Sequence, residues 1–175
     1  MRQALSLAKE GIVLDVGCRD GKLKNFISSY EYIGLDITSK FFKKGPIFLV
    51  AEAKSLPFRD RIIDVVFAME VIEHLLNHRN FIKETSRILR DDGDFILSTP
   101  NIVCLHNRFK ILFGKAPSWF GFDDGHLHCF TFKTIKEILL PYFKVIDRKA
   151  VYTSRARARW GELEAQWSFW ILDIG

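Results

Sequence analysis

The sequence predicts an α/β fold: a doubly wound sheet of seven strands, mostly parallel, with an antiparallel last strand. Three observations predict it. Short apolar runs of strand length alternate with stretches of helical period, the pattern of a parallel sheet covered on both faces. The last two runs have no helix pattern between them, which favours antiparallel pairing. The chain has 175 residues, of which 48% are hydrophobic and 16 are Phe, enough for one compact core spanning residues 1–175.

The strands fall, in order, at residues 11–17, 32–36, 47–51, 63–69, 95–99, 143–152 and 168–174. Leu23, Phe26 and Ile27 follow Gly21 at helical spacing and predict a first covering helix. Phe81, Ile82, Thr85, Ile88 and Leu89 repeat that spacing ahead of the Asp91-Asp92-Gly93 turn. Thr134 with Glu137 resembles a capping box before Ile138 and Leu139, so a last helix precedes the final strands. Residues 101–130 break the pattern. They carry Phe109, Phe113, Trp119, Phe120 and Phe122 without a clean period, as a lid or substrate-side insertion would; an ordinary helix with a packed loop is the alternative.

Composition excludes several classes. No apolar run approaches the roughly 18 to 20 residues that span a bilayer, and the first ten residues are too polar for a signal peptide, so a cytoplasmic protein is expected. Cys18, Cys104 and Cys129 have no metal spacing and suggest no disulfide framework. Lys and Arg number 26 against 21 Asp and Glu, a net charge of +5, with Arg155, Arg157 and Arg159 before Trp160 as the one basic cluster. That cluster suits a solvated connection, or phosphate contacts with a stacking aromatic.

In an open parallel sheet, ligands bind beyond the carboxyl ends of the strands. The first strand ends in Asp15-Val16-Gly17-Cys18-Arg19-Asp20-Gly21, where glycines permit a tight turn and helix amides can face an anionic group. The second ends in Gly34-Leu35-Asp36-Ile37, placing a carboxylate to accept hydrogen bonds from both ribose hydroxyls of a nucleoside. The Gly-x-Gly-x-x-Gly turn of dinucleotide-binding oxidoreductases is missing, which argues against NAD.

At these residues the chain resembles the class I S-adenosylmethionine-dependent methyltransferases, in particular the type-11 group that includes ubiquinone-biosynthesis O-methyltransferases. The pieces are residues 13–18, Asp36, Glu52-Ala53-Lys54-Ser55-Leu56-Pro57-Phe58, residues 63–66, Met69-Glu70-Val71-Ile72-Glu73-His74, residues 87–90 with Gly93, and Ser98-Thr99-Pro100-Asn101. The resemblance implies a Rossmann-like fold and S-adenosylmethionine as cofactor. Asp15 and Gly17 would hold its methionine end, Asp36 the ribose, Ile37 one adenine face and Glu52-Ala53 the adenine edge, with Cys18, Gly21 and Met69 in the same cradle. Two positions depart from the family: Arg19 stands where glycine is usual, and Glu52 where aspartate is common. The chain also enters its first strand after about ten residues, so residues 101–130 or a partner subunit would have to cover the substrate.

Methyl transfer from a sulfonium needs alignment, a dry pocket and, for an alcohol or phenol, a group that takes the proton. Glu70, Glu73 and His74 form Glu-x-x-Glu-His after the fourth strand; in a helix, positions i, i+3 and i+4 would share one face. Glu70, His74 and His126 are the candidate catalytic residues. Glu70, Glu73, His74 and His126 together make a mixed carboxylate and imidazole set suited to Mg, Mn, Fe or Zn. This set resembles those of metal-dependent ubiquinone O-methyltransferases and of small-RNA 2′-O-methyltransferases. Without a metal, His74 would serve as a general base or a packed pocket residue. His128 is expected to turn away from His126, and His78 and His106 to lie at the surface. The expected activity is O-methylation of a small-molecule or glycolipid-type metabolite. Metal-assisted methylation of an RNA ribose and a non-catalytic cofactor-binding partner subunit are the alternatives, and oligomeric state is unspecified.

Overall fold

The computed structural model describes residues 11–27, 30–118, 125–151 and 167–174. Its elements in chain order are β1 (Ile12–Val16), β2 (Glu31–Asp36), β3 (Ile47–Val50), β4 (Ile63–Met69), α1 (His78–Ile88), β5 (Leu89–Pro100), α2 (Leu105–Leu112), α3 (Phe132–Leu139), β6 (Phe143–Val151) and β7 (Trp167–Ile174). They form one seven-stranded sheet of order β3-β2-β1-β4-β5-β7-β6. β1 pairs in parallel with β2 and β4, and β7 runs antiparallel between β5 and β6. The chain reverses its direction of winding at β1, so the carboxyl ends of β1, β2 and β4 open into a shared crevice.

The period of two in the strands divides the core. Leu14, Val16, Val66, Ala68, Phe95 and Leu97 face α1 and α3, where Phe81, Ile82, Ile88, Ile135 and Leu139 pack on them. Val13, Val65, Phe67, Ile96 and Ile171 face the other way, toward Leu23, Ile27 and Tyr32. Phe81 is fully buried, and cutting such a ring to alanine costs about 3–5 kcal/mol.

Three local expectations are corrected. The segment after Gly21 forms only a 3-10 turn, Lys22–Phe26, in which Leu23 is buried while Phe26 is 64% exposed. Fourteen residues separate β1 from β2, which leaves little room for a long helix. The last helix starts one turn earlier than the Thr134 and Glu137 pattern suggests: Thr131 is its N-cap, and Thr134 closes the capping box reciprocally. β5 begins immediately after α1, and its pairing with β4 shifts register between Ile63 and Val65, around the Asp91-Asp92-Gly93 stretch.

Residues 101–130 contain α2 and a stretch without regular structure, 125–130, bridged to Asn101 through Phe130. Trp119, Phe120, Phe122 and the cluster Arg155 to Trp160 lie outside the described residues. Among those described, no helix is long and apolar enough to cross a membrane.

Candidate active site

β1 ends in a turn that only this sequence pattern allows. Gly17 has φ +72°, and a Cβ there would lie 2.5 Å from a methyl of Val71. Its amide donates to the Leu35 carbonyl at 2.7 Å, tying the turn to β2. Gly21, also at positive φ, lies against the Phe48 ring, where a Cβ would come within 2.8 Å. Packing and backbone conformation account for Gly21, which lines neither cavity of the crevice.

Asp15 is buried and accepts a 2.7 Å hydrogen bond from the Tyr32 hydroxyl. Burial pushes its carboxyl up to about 6, the Tyr32 hydroxyl opposes that shift, and the nearby Asp36 charge adds to it. Cys18 is buried beside both acids, and desolvation followed by their charges pushes its thiol up to about 12. Such a thiol stays protonated, so Cys18 acts by shape. Asp36 accepts from the amides of Arg19 at 3.0 Å and Thr38 at 3.2 Å, one on each oxygen. Those bonds aim the carboxylate along the crevice and leave each oxygen a further lone pair.

Two adjoining cavities open here. One, about 540 Å³, is lined by Asp15, Gly17, Cys18, Arg19 and Met69 among others. The other, about 940 Å³, is lined by Asp36, Ile37, Glu52, Ala53, Glu70 and His74 among others. Gly17, Arg19 and Met69 border both. Ile37 is 72% exposed, a large apolar side chain standing over the second cavity with nothing yet to cover. Glu52 pairs with Lys54 at the rim. Eight of the nine residues expected to hold the cofactor therefore line one crevice, Gly21 being the exception.

Glu70 does not begin a helix. It has φ +59°, the left-handed region, and a 3-10 turn, Ile72–His74, follows it. Its amide donates to both the carbonyl and the hydroxyl of Ser98, and the Ser98 hydroxyl donates to one Glu70 carboxylate oxygen. The tight turn swings Glu73 inward until it is 1% exposed, where the Thr99 hydroxyl donates to it at 3.3 Å. One oxygen of each glutamate is buried without a hydrogen-bond partner. Burial and the neighbouring Glu73 charge raise Glu70 to about 8 against the Ser98 hydrogen bond, and burial raises Glu73 as well.

The stretch 125–130 lies against this turn. Leu127 and His128 both donate their amides to the Glu73 carbonyl, at 2.9 and 3.1 Å. His74 Nδ1 meets the Gly125 carbonyl at 2.9 Å. A carbonyl only accepts, so Nδ1 carries the proton and Nε2 of the neutral ring keeps its lone pair. The His74 and His126 rings meet edge to face at 4.7 Å, and His78 and His128 do the same at 4.5 Å. His128 thus meets His78 and not the His74–His126 pair. It packs on His78 and Phe130. His78, taken as a surface residue, is half-buried there, and burial followed by His128 lowers its pKa.

One ligand atom each from Glu73, His74 and His126 lie within 4.8 Å of one another. The expected four-residue metal set is thus gathered as three, with Glu70 outside the cluster on the cavity wall. Sequence reasoning missed Tyr32, which positions Asp15, and gave no role to Ser98 and Thr99, which stand in the Ser98-Thr99-Pro100-Asn101 piece and position the two glutamates. A hydroxyl's partner across the sheet leaves no signal in the sequence.

The description "Methyltransferase domain" matches residues 14–97. An uncharacterized protein of Methanocaldococcus jannaschii is 31% identical over 152 residues, 82% of this chain and 60% of that protein. A tRNA (carboxymethyluridine(34)-5-O)-methyltransferase of Arabidopsis thaliana is 34% identical over 101 residues, 54% of this chain and 25% of that protein. The chain therefore spans less than two thirds of these curated relatives. Among solved structures, a S-adenosylmethionine-dependent methyltransferase of Thermotoga maritima superposes with a TM-score of 0.74 at 16% identity, covering 98% of this chain and 86% of that one. The sheet order, the crevice beyond β1 and β2, and the matched segment agree: residues 14–97 match the methyltransferase-domain family, and the fold is that of the S-adenosylmethionine-dependent methyltransferases.

Proposed function

We propose that the chain methylates an oxygen of a small-molecule metabolite, using S-adenosylmethionine held along the two cavities. The observation that carries this reading is that Glu70 and His74 border the same cavity as Asp36 and Ile37. Proton-accepting groups thus stand at the edge of the nucleoside site. The cofactor supplies a methyl group on a positively charged sulfur. Asp36 would accept from the ribose hydroxyls, Ile37 would cover the adenine, and Met69, bordering both cavities, would lie against the sulfur. Without a cation, His74 Nε2 would take the acceptor's proton as the methyl group passes from the sulfonium, which leaves as a neutral thioether, to the oxygen.

The same cluster suits a divalent cation, Mg or Mn. Glu73, His74 and His126 would be its ligands, and the partnerless oxygens of Glu70 and Glu73 would gain a positive neighbour. A cation there would lower the acceptor hydroxyl's pKa. Residues 125–130 supply the substrate-side wall in this reading, since Leu127 borders the cavity. A cytoplasmic setting fits the three unpaired cysteines.

A second reading, methylation of an RNA ribose hydroxyl, draws on the tRNA-modifying relative. Transfer of label from methyl-labelled cofactor separates the two, with a metabolite extract in one arm and total RNA in the other. The favoured reading expects label in the extract, lost with His74→Ala and suppressed by chelator. Label in RNA alone establishes the second reading. Full transfer in excess chelator removes the cation and leaves His74 as an ordinary base. Cofactor binding with no transfer in either arm would indicate a non-catalytic subunit.

A further inference from the structure

Arg19 occupies a position whose backbone disfavours it. Its φ of +48° is left-handed, a conformation that costs an ordinary L-residue about 1 kcal/mol or more and that glycine would adopt freely. Strain kept at a ligand crevice points to a job for the side chain. That side chain borders both cavities, and its guanidinium lies over the Phe41 ring, 5.1 Å from the centroid. It forms no ion pair with a carboxylate among the described residues. The neighbouring cations are already engaged: Lys43 and Lys22 both pair with Asp20, at 3.0 and 3.5 Å. Arg19 is thus a cation held by an aromatic face at the join of the cavities, with its donors unassigned.

We propose that Arg19 recognises the α-carboxylate at the methionine end of the cofactor, with Phe41 holding the guanidinium in place. The inference rests on the cofactor reading above. A zwitterionic amino-acid group fits the smaller cavity: its ammonium would meet the Asp15 carboxylate and its carboxylate the Arg19 fork. Where the family's usual residue is glycine, this chain supplies a charged side chain.

Two ligands test it, S-adenosylhomocysteine, which carries the amino-acid group, and 5′-methylthioadenosine, which lacks it. Calorimetry with the full chain should show Arg19→Gln weakening S-adenosylhomocysteine about tenfold to a hundredfold, the scale of charge-assisted hydrogen bonds. 5′-Methylthioadenosine should bind wild type and variant alike. Arg19→Lys should recover part of the loss, and Phe41→Ala should weaken S-adenosylhomocysteine in the same selective way. Arg19→Gly relieves the backbone strain and controls for folding. Equal loss for both ligands, no loss, or tighter S-adenosylhomocysteine binding by Arg19→Gly would overturn the proposal and leave the cofactor reading intact. Wild-type protein that binds neither ligand would overturn the cofactor reading itself.

Discussion

Asp15 and Glu70 are carboxylates kept where folding would prefer a neutral group. Asp15 has its folded pKa raised from 3.8 to about 6, so the cost of burying its charge is absent below pH 3.8. It grows as pH rises through that window and is complete above it. Asp15→Asn keeps an acceptor for Tyr32 and removes the charge. We expect it to raise thermal stability by about 1 kcal/mol at pH 8, with no gain at pH 3.5, while weakening S-adenosylhomocysteine. Melting curves at the two pH values check this; a variant less stable at pH 8 would mean the charge has a partner that outweighs its desolvation. Glu70 follows the same sign over a wider window, from 4.5 to about 8. Glu70→Gln offers an amide donor to the partnerless Glu73 oxygen, so without divalent cation it should melt higher than wild type at pH 9. The difference should shrink toward pH 4.5 and reverse in sign in saturating Mn if a cation is bound. The substitution leaves side-chain size at the left-handed Glu70 backbone unchanged, so the comparison reads charge together with the new donor.

At the scale of elements, the site is set by how segments are fastened to one another. The stretch 52–58, which carries Glu52 and Ala53, has no regular structure of its own and is held by α1. Arg87 donates to the carbonyls of Leu56 and Phe58 and to the carboxylates of Glu84 and Asp60. Glu84 accepts from the Leu56 amide at 3.1 Å, and Asn80 donates to the Lys54 carbonyl. Arg87→Ala leaves two carbonyls and the Glu84 carboxylate short of donors. It should destabilise by about 1–2 kcal/mol and weaken nucleoside binding severalfold. Arg87→Lys should recover little, because an ammonium cannot reproduce the fork. Unchanged nucleoside affinity in Arg87→Ala would show that Ala53 holds its place without the tether. The stretch 125–130 is fastened comparably: its two amides on the Glu73 carbonyl and its histidines on His74 and His78 bring a distant segment onto the β4 turn.

Across the whole molecule, the crevice lies at the point where the sheet's winding reverses, and ligand there bridges β1, β2 and β4. Binding to the folded state alone stabilises by mass action, about 2.7 kcal/mol at a hundredfold excess over Kd. For a chain of this size that corresponds to a melting temperature higher by roughly 6–10 °C. S-Adenosylhomocysteine at that excess should produce the shift and NAD should not. A comparable shift with NAD would contradict the nucleoside site built on Asp36.

The strands and the cofactor-side acids were legible in the sequence because their signals are local. All seven apolar runs became strands, with bounds no more than six residues from those expected. Asp15 is next to last in β1 and Asp36 ends β2. Helical period alone did not establish a full first helix, since Leu23 and Ile27 bury equally well from a 3-10 turn. The Glu-x-x-Glu-His motif placed the correct residues together for a reason that did not hold. A helix would have put the three on one face, whereas the left-handed Glu70 and the tight turn after it do so by folding Glu73 inward. That turn exists because Ser98, at the end of a neighbouring strand, takes both the amide and the carboxylate of Glu70. His126 is brought to His74 by hydrogen bonds from its segment to the Glu73 carbonyl and from His74 to the Gly125 carbonyl, and the Arg19 guanidinium lies over Phe41. Periodicity and the conformational demands of glycine were enough to define the sheet and the residues at its carboxyl edge. Which of those side chains face one another was settled in the folded molecule, because each such contact depends on strand register and on partners remote in the chain.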